Sequence, residues 1–265
     1  TGSETSDSRG SELIDSIDYR VPFGPLGALF GGWIARLTLR RMFRWRHART
    51  RADVARLGER LVGLPSDRTV AITGGTGLIG STLAPFLRLA GWRVKIVSRR
   101  PLGPDDVRWD PSRGEIEAEK LEGVDAVVHL AGENVAGGRW SASRKARIRD
   151  SRTVGTDLLA RTIASLTSKP SVLVSASAVG FYGSNEGARR GTDEPTFTEQ
   201  DEPGEGFLAA VTKDWEAAAE PARQAGVRVV HPRIGVVLAR KEGALAQMLP
   251  PFLAGAGGVI GGGAQ

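Results

Sequence analysis

Short apolar runs alternate with longer amphipathic stretches along most of the chain. From Thr69 onward, runs rich in valine, isoleucine and alanine predict β-strands, and each run is followed by helical spacing or a turn. This alternation predicts an α/β fold, a doubly wound parallel sheet with helices on both faces. The predicted strands are 70–73, 93–98, 107–109, 125–131, 171–177 and 227–238. The predicted helices are 78–90, 141–166, 206–225 and 243–253, and Ser141 is the predicted N-cap of the second one.

The region before Thr69 has a different pattern. Residues 1–12 are polar and predict a disordered or cut end, whereas 13–23 partly alternate as a strand would. A helix is predicted from Leu26 to Leu57, and 58–68 resemble a linker. One strand and one helix bury little core, so we expect 13–57 to dock on other structure or to be the tail of another domain. The main domain is then 69–265.

Composition narrows the class of protein. The chain has 265 residues, of which 40% are hydrophobic and 25% charged, as in ordinary globular proteins. It contains no cysteine, which excludes disulfides, thiolate metal sites and iron–sulfur clusters. Its three histidines lie far apart in sequence, so no metal site is expected. No run approaches the roughly 18 apolar residues of a membrane span, and no secretory signal peptide is present, so a cytoplasmic location is expected.

The net charge of +6 is concentrated in the N-terminal part. Between Trp33 and Arg60, nine arginines face only Asp53 and Glu59. Such a segment could meet nucleic acid, an anionic membrane surface or an acidic partner, or it could be the solvated face of one helix. Nucleic-acid binding is not favoured, because the segment does not belong to a binding fold in which exposed aromatic residues alternate with the arginines.

A glycine-rich turn follows the first strand of the main domain. It lies between that strand and a predicted helix, as a dinucleotide-binding turn requires. Gly74 would permit the tight turn, Gly77 would admit a pyrophosphate close to the backbone, and Gly80 would allow close packing of the helix. The alternative is a tight turn with no ligand. The predicted cofactor-binding residues are Gly74, Gly75, Thr76, Gly77, Leu78, Ile79 and Gly80.

The end of the second strand indicates which dinucleotide would bind. Enzymes that use NAD usually carry a carboxylate there, which bonds the ribose hydroxyls. This chain has Ser98, Arg99 and Arg100 instead. Guanidinium groups favour a 2′-phosphate, so NADP(H) is favoured over NAD(H). The alternative is that both arginines are plain surface charges.

The motifs together resemble an extended short-chain dehydrogenase/reductase. More narrowly, they resemble its atypical NAD(P)-dependent epimerase-family branch, sometimes labelled cell-division-inhibitor-like. The resemblance covers 69–265 and implies a Rossmann domain with a smaller C-terminal substrate lobe, which this chain would contain only in truncated form. It rests on TGGTGLIG at 73–80, DAVVHLAGENV at 125–135, RW at 139–140, IRDSRTVGT at 148–156, SVLVSASAVGFYG at 171–183, DWE at 214–216 and HPRIGVVL at 231–238.

The resemblance also implies roles for single residues. Ser177 falls where the superfamily keeps its catalytic serine, although a small residue could simply be needed there. Pro232 and Arg233 would lie beside the nicotinamide. Further cofactor contacts are implied at Leu130, Ala131 and Gly132.

Departures from the superfamily pattern concern the catalytic residues. The usual Tyr-x-x-x-Lys pair corresponds to Ala209 and Lys213, so the tyrosine is missing. Tyr182 is the only tyrosine near the site and is a candidate substitute acid. The usual helix asparagine is also absent, with Ser151 and Arg152 in that region. The predicted catalytic residues are Ser177, Tyr182 and Lys213.

The sequence supports two hypotheses of function. One is hydride transfer between NADP(H) and a small-molecule substrate, small or sugar-like. The other is a non-catalytic NADP(H)-binding regulator or redox sensor. At the N-terminus, DSIDYRVPFGPLG and FRWRHARTRADV resemble the last strand and helix of a START-like ligand-binding domain. The oligomeric state is left open, a homodimer included.

Overall fold

The computed structural model describes residues 24–61, 67–135, 138–183, 196–239 and 242–258. The chain forms two compact units, Thr1–Leu64 and Pro65–Gln265. In the first unit, α1 spans Gly24–Leu61. This helix is longer at both ends than the sequence predicts. At its C-terminal end, Glu59, Arg60 and Leu61 are residue types that continue to favour helix beyond Leu57. The predicted strand at 13–23 lies outside the described residues.

The second unit contains the predicted series of strands and helices. Its strands are β1 Thr69–Thr73, β2 Arg93–Ser98, β3 Val107–Asp110, β4 Glu115–Ile116, β5 Ala126–His129, β6 Val172–Ser175, β7 Ser177–Ala178, β8 Arg228–Val230 and β9 Arg233–Ile234. Its α-helices are α2 Gly80–Leu89, α3 Ala142–Ser165, α4 Phe207–Ala217, α5 Glu220–Gln224 and α6 Gly243–Leu253, with short 3-10 turns at Ala118–Leu121 and Val179–Tyr182.

Seven strands form one sheet in the order β4-β3-β2-β1-β5-β6-β8, and β7 pairs separately with β9. All pairs are parallel except β3 with β4. The chain runs outward from β1 through β2 and β3, and then returns to place β5 on the other side of β1. This is the Rossmann arrangement that the sequence predicts. Its topological switch point lies between β1 and β5, where such sheets bind ligands.

The core has two parts, one on each face of the sheet, and β1 is therefore buried along its whole length. Val70 and Ile72 pack on the same face as Ala84 of α2. Ala71 faces the opposite side and belongs to the larger cluster, which includes Leu159 of α3. Alternate residues of one strand therefore anchor helices on opposite faces, as a doubly wound sheet requires.

Two long predicted elements are interrupted at prolines. The predicted strand 227–238 divides into β8 and β9 at Pro232, which has no N–H to donate to a sheet ladder. The predicted helix 206–225 ends at Ala217, and Pro221 lies in the first turn of the next helix. The expected N-cap at Ser141 is confirmed, since its side chain accepts a hydrogen bond from the Arg144 N–H.

Candidate functional site

The glycine-rich turn joins β1 to α2 and has no room for side chains at two positions. Gly74 has a φ of +67°, and a Cβ there would lie 2.8 Å from the Leu130 carbonyl carbon. A Cβ on Gly80 would overlap the Gly74 carbonyl oxygen. The Gly77 N–H donates to that same oxygen at 3.0 Å and closes the turn. The tight turn predicted at Gly74 and the close packing predicted at Gly80 are therefore present.

The start of α2 presents backbone donors. Ile79 occupies the N-cap position and offers no side-chain cap. Within the described part of the chain, no acceptor takes the N–H groups of Leu78 or Ile79. Uncapped N–H groups at a helix start attract anions.

A cleft runs across the carboxyl ends of β1 and β5. It has a larger lobe of about 700 Å³ and a smaller lobe of about 410 Å³. Both lobes border Gly74, Gly77, Leu130 and Gly132, so the two form one continuous groove. The larger lobe is also lined by Leu78, Ile79, Gly80 and Ser177, and the smaller one by Gly75, Thr76, Ser98, Arg99 and Ala131.

Three predicted cofactor residues do not line this groove. Arg100 is exposed beyond its smaller lobe. Pro232 accepts a hydrogen bond from the Ser177 N–H through its carbonyl oxygen. Arg233 forms an ion pair behind the groove, which is lined by the next two residues, Ile234 and Gly235.

Arg99 is the cationic residue of the smaller lobe and lies opposite Asp110 and Ser112. The Ser112 side-chain hydroxyl bonds Asp110 at 2.6 Å and lowers the pKa of that carboxyl, with further help from the charges of Arg113 and Arg99. Asp110 is thus engaged by Ser112. No carboxylate in the described chain forms an ion pair with Arg99, which leaves its guanidinium available to a ligand phosphate.

Thr73 and His129 form a buried hydrogen-bonded pair next to the cleft. The Thr73 hydroxyl oxygen accepts from the N–H groups of Leu130 and Ala131 at 3.1 and 3.2 Å. Its own proton is therefore directed to Nδ1 of His129, 2.7 Å away, which places the imidazole proton on Nε2. Burial lowers the pKa of His129 from 6.5 to about 4, so the ring is neutral. This pair holds the loop after β5 against the glycine-rich turn.

Ser151 and Arg152 fasten the same loop from α3. The Ser151 hydroxyl accepts from the Glu133 N–H at 3.0 Å, and Arg152 Nη2 donates to the Glu133 carbonyl at 3.1 Å. Both residues occupy the region where the usual helix asparagine is missing. Together they bond the backbone N–H and the backbone carbonyl of Glu133.

Ser177 lines the larger lobe and is buried. Its hydroxyl donates to Glu216 Oε1 at 2.6 Å. Arg233 Nε and Nη2 bond the two oxygens of the same carboxylate at 3.0 and 3.1 Å. Burial raises the pKa of Glu216, but the bonds from Arg233 and Ser177 outweigh it and leave the pKa below its ordinary value. Glu216 is therefore an ionised acceptor for Ser177.

Tyr182 belongs to the same network through its hydroxyl. That oxygen accepts from Arg233 Nη1 at 2.9 Å and donates to the Thr198 carbonyl at 2.8 Å. The ring stacks on Phe197, with centroids 4.9 Å apart. Lys213 is exposed and does not line the cleft, whereas Ala209, at the position of the usual tyrosine, is buried.

The sequence predicts no role for Glu216, although this residue belongs to the DWE motif at 214–216. Its serine and arginine partners come from β7 and β9, distant in sequence, and only their parallel pairing brings them together. A signal was available, since Glu216 follows Lys213 on the helix that should carry the catalytic pair. Within the described ranges, no three histidine or carboxylate side chains form a group suited to a metal ion.

Comparison with known proteins identifies relatives of this chain. The sequence model of the NAD dependent epimerase/dehydratase family matches residues 70–258. The chain is 42% identical over 201 residues to the Epimerase family protein Mb2239 of Mycobacterium bovis, covering 76% of this chain and 64% of that protein. It is 38% identical over 204 residues to human Epimerase family protein SDR39U1, covering 74% of this chain and 64% of that protein. The chain thus spans less than two thirds of these relatives.

Two solved structures are also similar. A nucleoside-diphosphate sugar epimerase from Corynebacterium glutamicum superposes with a TM-score of 0.69 at 37% identity, covering 84% of this chain and 45% of that one. Human SDR39U1 isoform 2, solved with NADPH, gives 0.63 at 36% identity, covering 74% and 63%. No helix in the described ranges is long and apolar enough to cross a membrane.

Proposed function

Because the chain belongs to the NAD dependent epimerase/dehydratase family, we propose that it binds NADP(H) in the cleft and exchanges hydride with a small or sugar-like substrate. One observation carries the proposal. The cleft is lined by the glycine-rich turn with N–H groups that have no acceptor among the described residues, by the cationic Arg99 and by the polar Ser177. The similar human structure that contains NADPH supports this choice of dinucleotide.

The residues present fit such a cofactor. The N–H groups of Leu78 and Ile79 would take the pyrophosphate, since Gly77 leaves the backbone accessible. Arg99 would bond the 2′-phosphate, with Ser98 beside it. The nicotinamide, which supplies or accepts the hydride when bound, would lie toward Ser177 and Gly235.

The chemistry at Ser177 follows from its bond to Glu216. Because its hydroxyl proton is directed to the carboxylate, Ser177 presents lone pairs to the cleft and accepts hydrogen bonds from a ligand. A substrate hydroxyl would thus be oriented by donating to Ser177. Tyr182 stays a predicted acid, but its proton is bonded to the Thr198 carbonyl and would have to leave that bond first.

The second function, a non-catalytic NADP(H)-binding regulator or redox sensor, is favoured by a different observation. The usual tyrosine is replaced by buried Ala209, and Lys213 is exposed outside the cleft. The acid and base that the superfamily uses are therefore not assembled here. This function needs the cofactor groove but no substrate chemistry.

A mass spectrum of the nucleotide that copurifies with the protein tests the cofactor assignment. We expect NADP(H); NAD(H) alone would contradict it. Incubation of the protein with NADPH deuterated at nicotinamide C4 and a panel of aldehydes and ketones then separates the two functions. Deuterium in a reduced product supports hydride transfer, whereas bound but unreacted NADPH across the panel supports the regulator.

The origin of α1 is a separate proposal. We propose that it is the C-terminal helix of a START-like domain, on the sequence motifs given above. The Corynebacterium structure covers 84% of this chain, more than Pro65–Gln265 alone can supply, so part of the first unit also matches it. Membership of the cell-division-inhibitor-like branch, a cytoplasmic location and a homodimer also stay predictions.

A further inference from the structure

Arg152 is a cationic residue on the wall of the larger lobe. It projects from α3 and lines this lobe together with Gly77, Gly132 and Ser177. Its guanidinium carbon lies 5.0 Å over the ring of Trp215, which lines the same lobe. A Cβ on Gly132 would be only 3.4 Å from that carbon, so the loop after β5 passes directly beside the charge.

Neutral groups hold this guanidinium. Nη1 donates to the Ile148 carbonyl at 2.9 Å and more weakly to the Ser151 hydroxyl at 3.5 Å, while Nη2 donates to the Glu133 carbonyl. A guanidinium has five N–H donors. The N–H of Nε and one N–H of Nη2 therefore have no acceptor among the residues described.

Two other arginines, Arg149 and Arg233, each have a carboxylate partner, which Arg152 lacks among the described residues. Arg149, one turn earlier on α3, pairs with Asp214 at 2.7 Å, and Arg233 pairs with Glu216 at 3.0 Å. In the described structure, no carboxylate oxygen lies within ion-pair distance of Arg152. The Glu133 carboxylate is near enough to raise the pKa of Arg152, but burial has the larger effect and lowers it. The charge is thus fixed in place and only partly compensated.

We propose that Arg152 is an oxyanion-binding residue that takes a phosphate or carboxylate oxygen of the ligand in the larger lobe. A half-buried cation without a carboxylate partner is stabilised when a bound anion supplies the opposite charge. The two free N–H donors and the rigid position over Trp215 suit a directed bond to such an oxygen. The proposal rests on the proposed function, since it assigns a contact within the cofactor cleft. The oxyanion belongs either to the cofactor pyrophosphate or to an acidic substrate beside it.

Four proteins test this: the wild type, Arg152→Gln, Arg152→Lys and the matched control Arg149→Gln. Thermal melting without ligand first establishes that each is folded. Each is then titrated calorimetrically with NADPH, and with inorganic pyrophosphate before and after saturation with NADPH. If Arg152→Gln is unfolded, Arg152→Lys carries the test, since an ammonium group cannot reproduce the fork that holds both carbonyls and a ligand.

Two results support the proposal and identify the source of the oxyanion. If it is the cofactor's, Arg152→Gln weakens NADPH binding by about tenfold or more. If it is the substrate's, NADPH binding is unchanged, but pyrophosphate binds the NADPH-saturated wild type and is lost in Arg152→Gln. Arg149→Gln changes neither by more than about twofold, because its charge is already paired.

Unchanged NADPH and pyrophosphate binding in the folded Arg152 variant overturns the proposal. A wild type that binds no NADPH overturns the proposed function instead. In that case pyrophosphate binding to the free protein still decides the role of Arg152: a loss in Arg152→Gln supports it, and the same affinity, or no binding to the wild type, contradicts it.

Discussion

The Ser177 hydroxyl donates its proton to Glu216 over 2.6 Å, and this bond determines what the serine offers to a ligand. Ser177 faces the cleft from β7, whereas Glu216 approaches from α4. Arg233 Nε and Nη2 donate to the two oxygens of the Glu216 carboxylate. The carboxylate stays ionised, so the serine stays a donor to it. Ser177 therefore has lone pairs, and not its hydroxyl proton, to offer to a ligand.

The ion pair behind Ser177 should contribute strongly to stability. The side chains of Arg233 and Glu216 are each only 16% exposed, so Glu216→Gln leaves a buried cation without its counter-charge. We expect the free energy of unfolding to fall by about 2–4 kcal/mol in urea denaturation.

The matched control is Asp214→Asn, in the pair where Arg149 is 58% and Asp214 37% exposed. Solvent screens such a pair, so we expect a loss below about 1 kcal/mol. Equal losses in Glu216→Gln and Asp214→Asn would show that burial of the Arg233 pair has no energetic consequence.

His129 should make the fold sensitive to mild acid. Its pKa is about 4 in the folded protein against 6.5 ordinarily, so between these values the unfolded chain binds a proton that the native state does not. Stability is therefore full above pH 6.5 and falls as the pH drops toward 4. From about pH 7 to about pH 5 we expect a loss of about 2 kcal/mol from this residue.

Urea denaturation of the wild type and His129→Asn at both pH values measures this. The asparagine oxygen can still accept from Thr73 but does not titrate, so the variant should lose about 2 kcal/mol less on acidification than the wild type. An identical pH dependence in both proteins would assign the effect to other groups.

Alanine substitutions at Gly77 and Gly80 should have different effects on NADPH binding and on folding stability. A methyl group on Gly77 would lie 3.3 Å from the Gly74 carbonyl oxygen, which a small shift can accommodate, yet it would occupy the approach to the backbone. We expect Gly77→Ala to retain the wild-type melting temperature within a few degrees and to bind NADPH about tenfold more weakly or worse.

Gly80→Ala should lower the stability of the fold as well as NADPH binding. Its methyl group would overlap the Gly74 carbonyl, so we expect a loss of about 1–3 kcal/mol in stability along with NADPH binding. Circular dichroism melting and calorimetry of both variants decide this. A stable Gly80→Ala, or a Gly77→Ala with full NADPH affinity, would contradict the roles assigned to the turn.

Local patterns were sufficient to predict the sheet and the turn. β1 is an unbroken buried run, and the glycines that follow it have backbone needs that few other residues meet, so both are visible in short windows of sequence. The N-cap at Ser141 is equally local. The same local pattern predicts Ser98 and Arg99 at the end of β2, whereas the groove residues Leu130, Ala131 and Gly132 are implied only by the family resemblance.

Interactions between distant segments could not be predicted in this way. β4 has two residues and pairs only through a hairpin with β3, so its pattern is too short to recognise. The division at Pro232 sends β9 to pair with β7 rather than to extend the main sheet. That pairing brings Arg233 to Glu216, and no spacing in the sequence indicates it.

Calorimetric titration with NADPH and NADH, on the wild type, Arg99→Ala and Arg100→Ala, tests the central claim most directly. Arg99 lines the smaller lobe and Arg100 does not. We predict that the wild type binds NADPH about tenfold or more tighter than NADH, that Arg99→Ala removes most of this preference, and that Arg100→Ala removes less. Equal affinities for the two nucleotides, or no binding of either, would contradict the account.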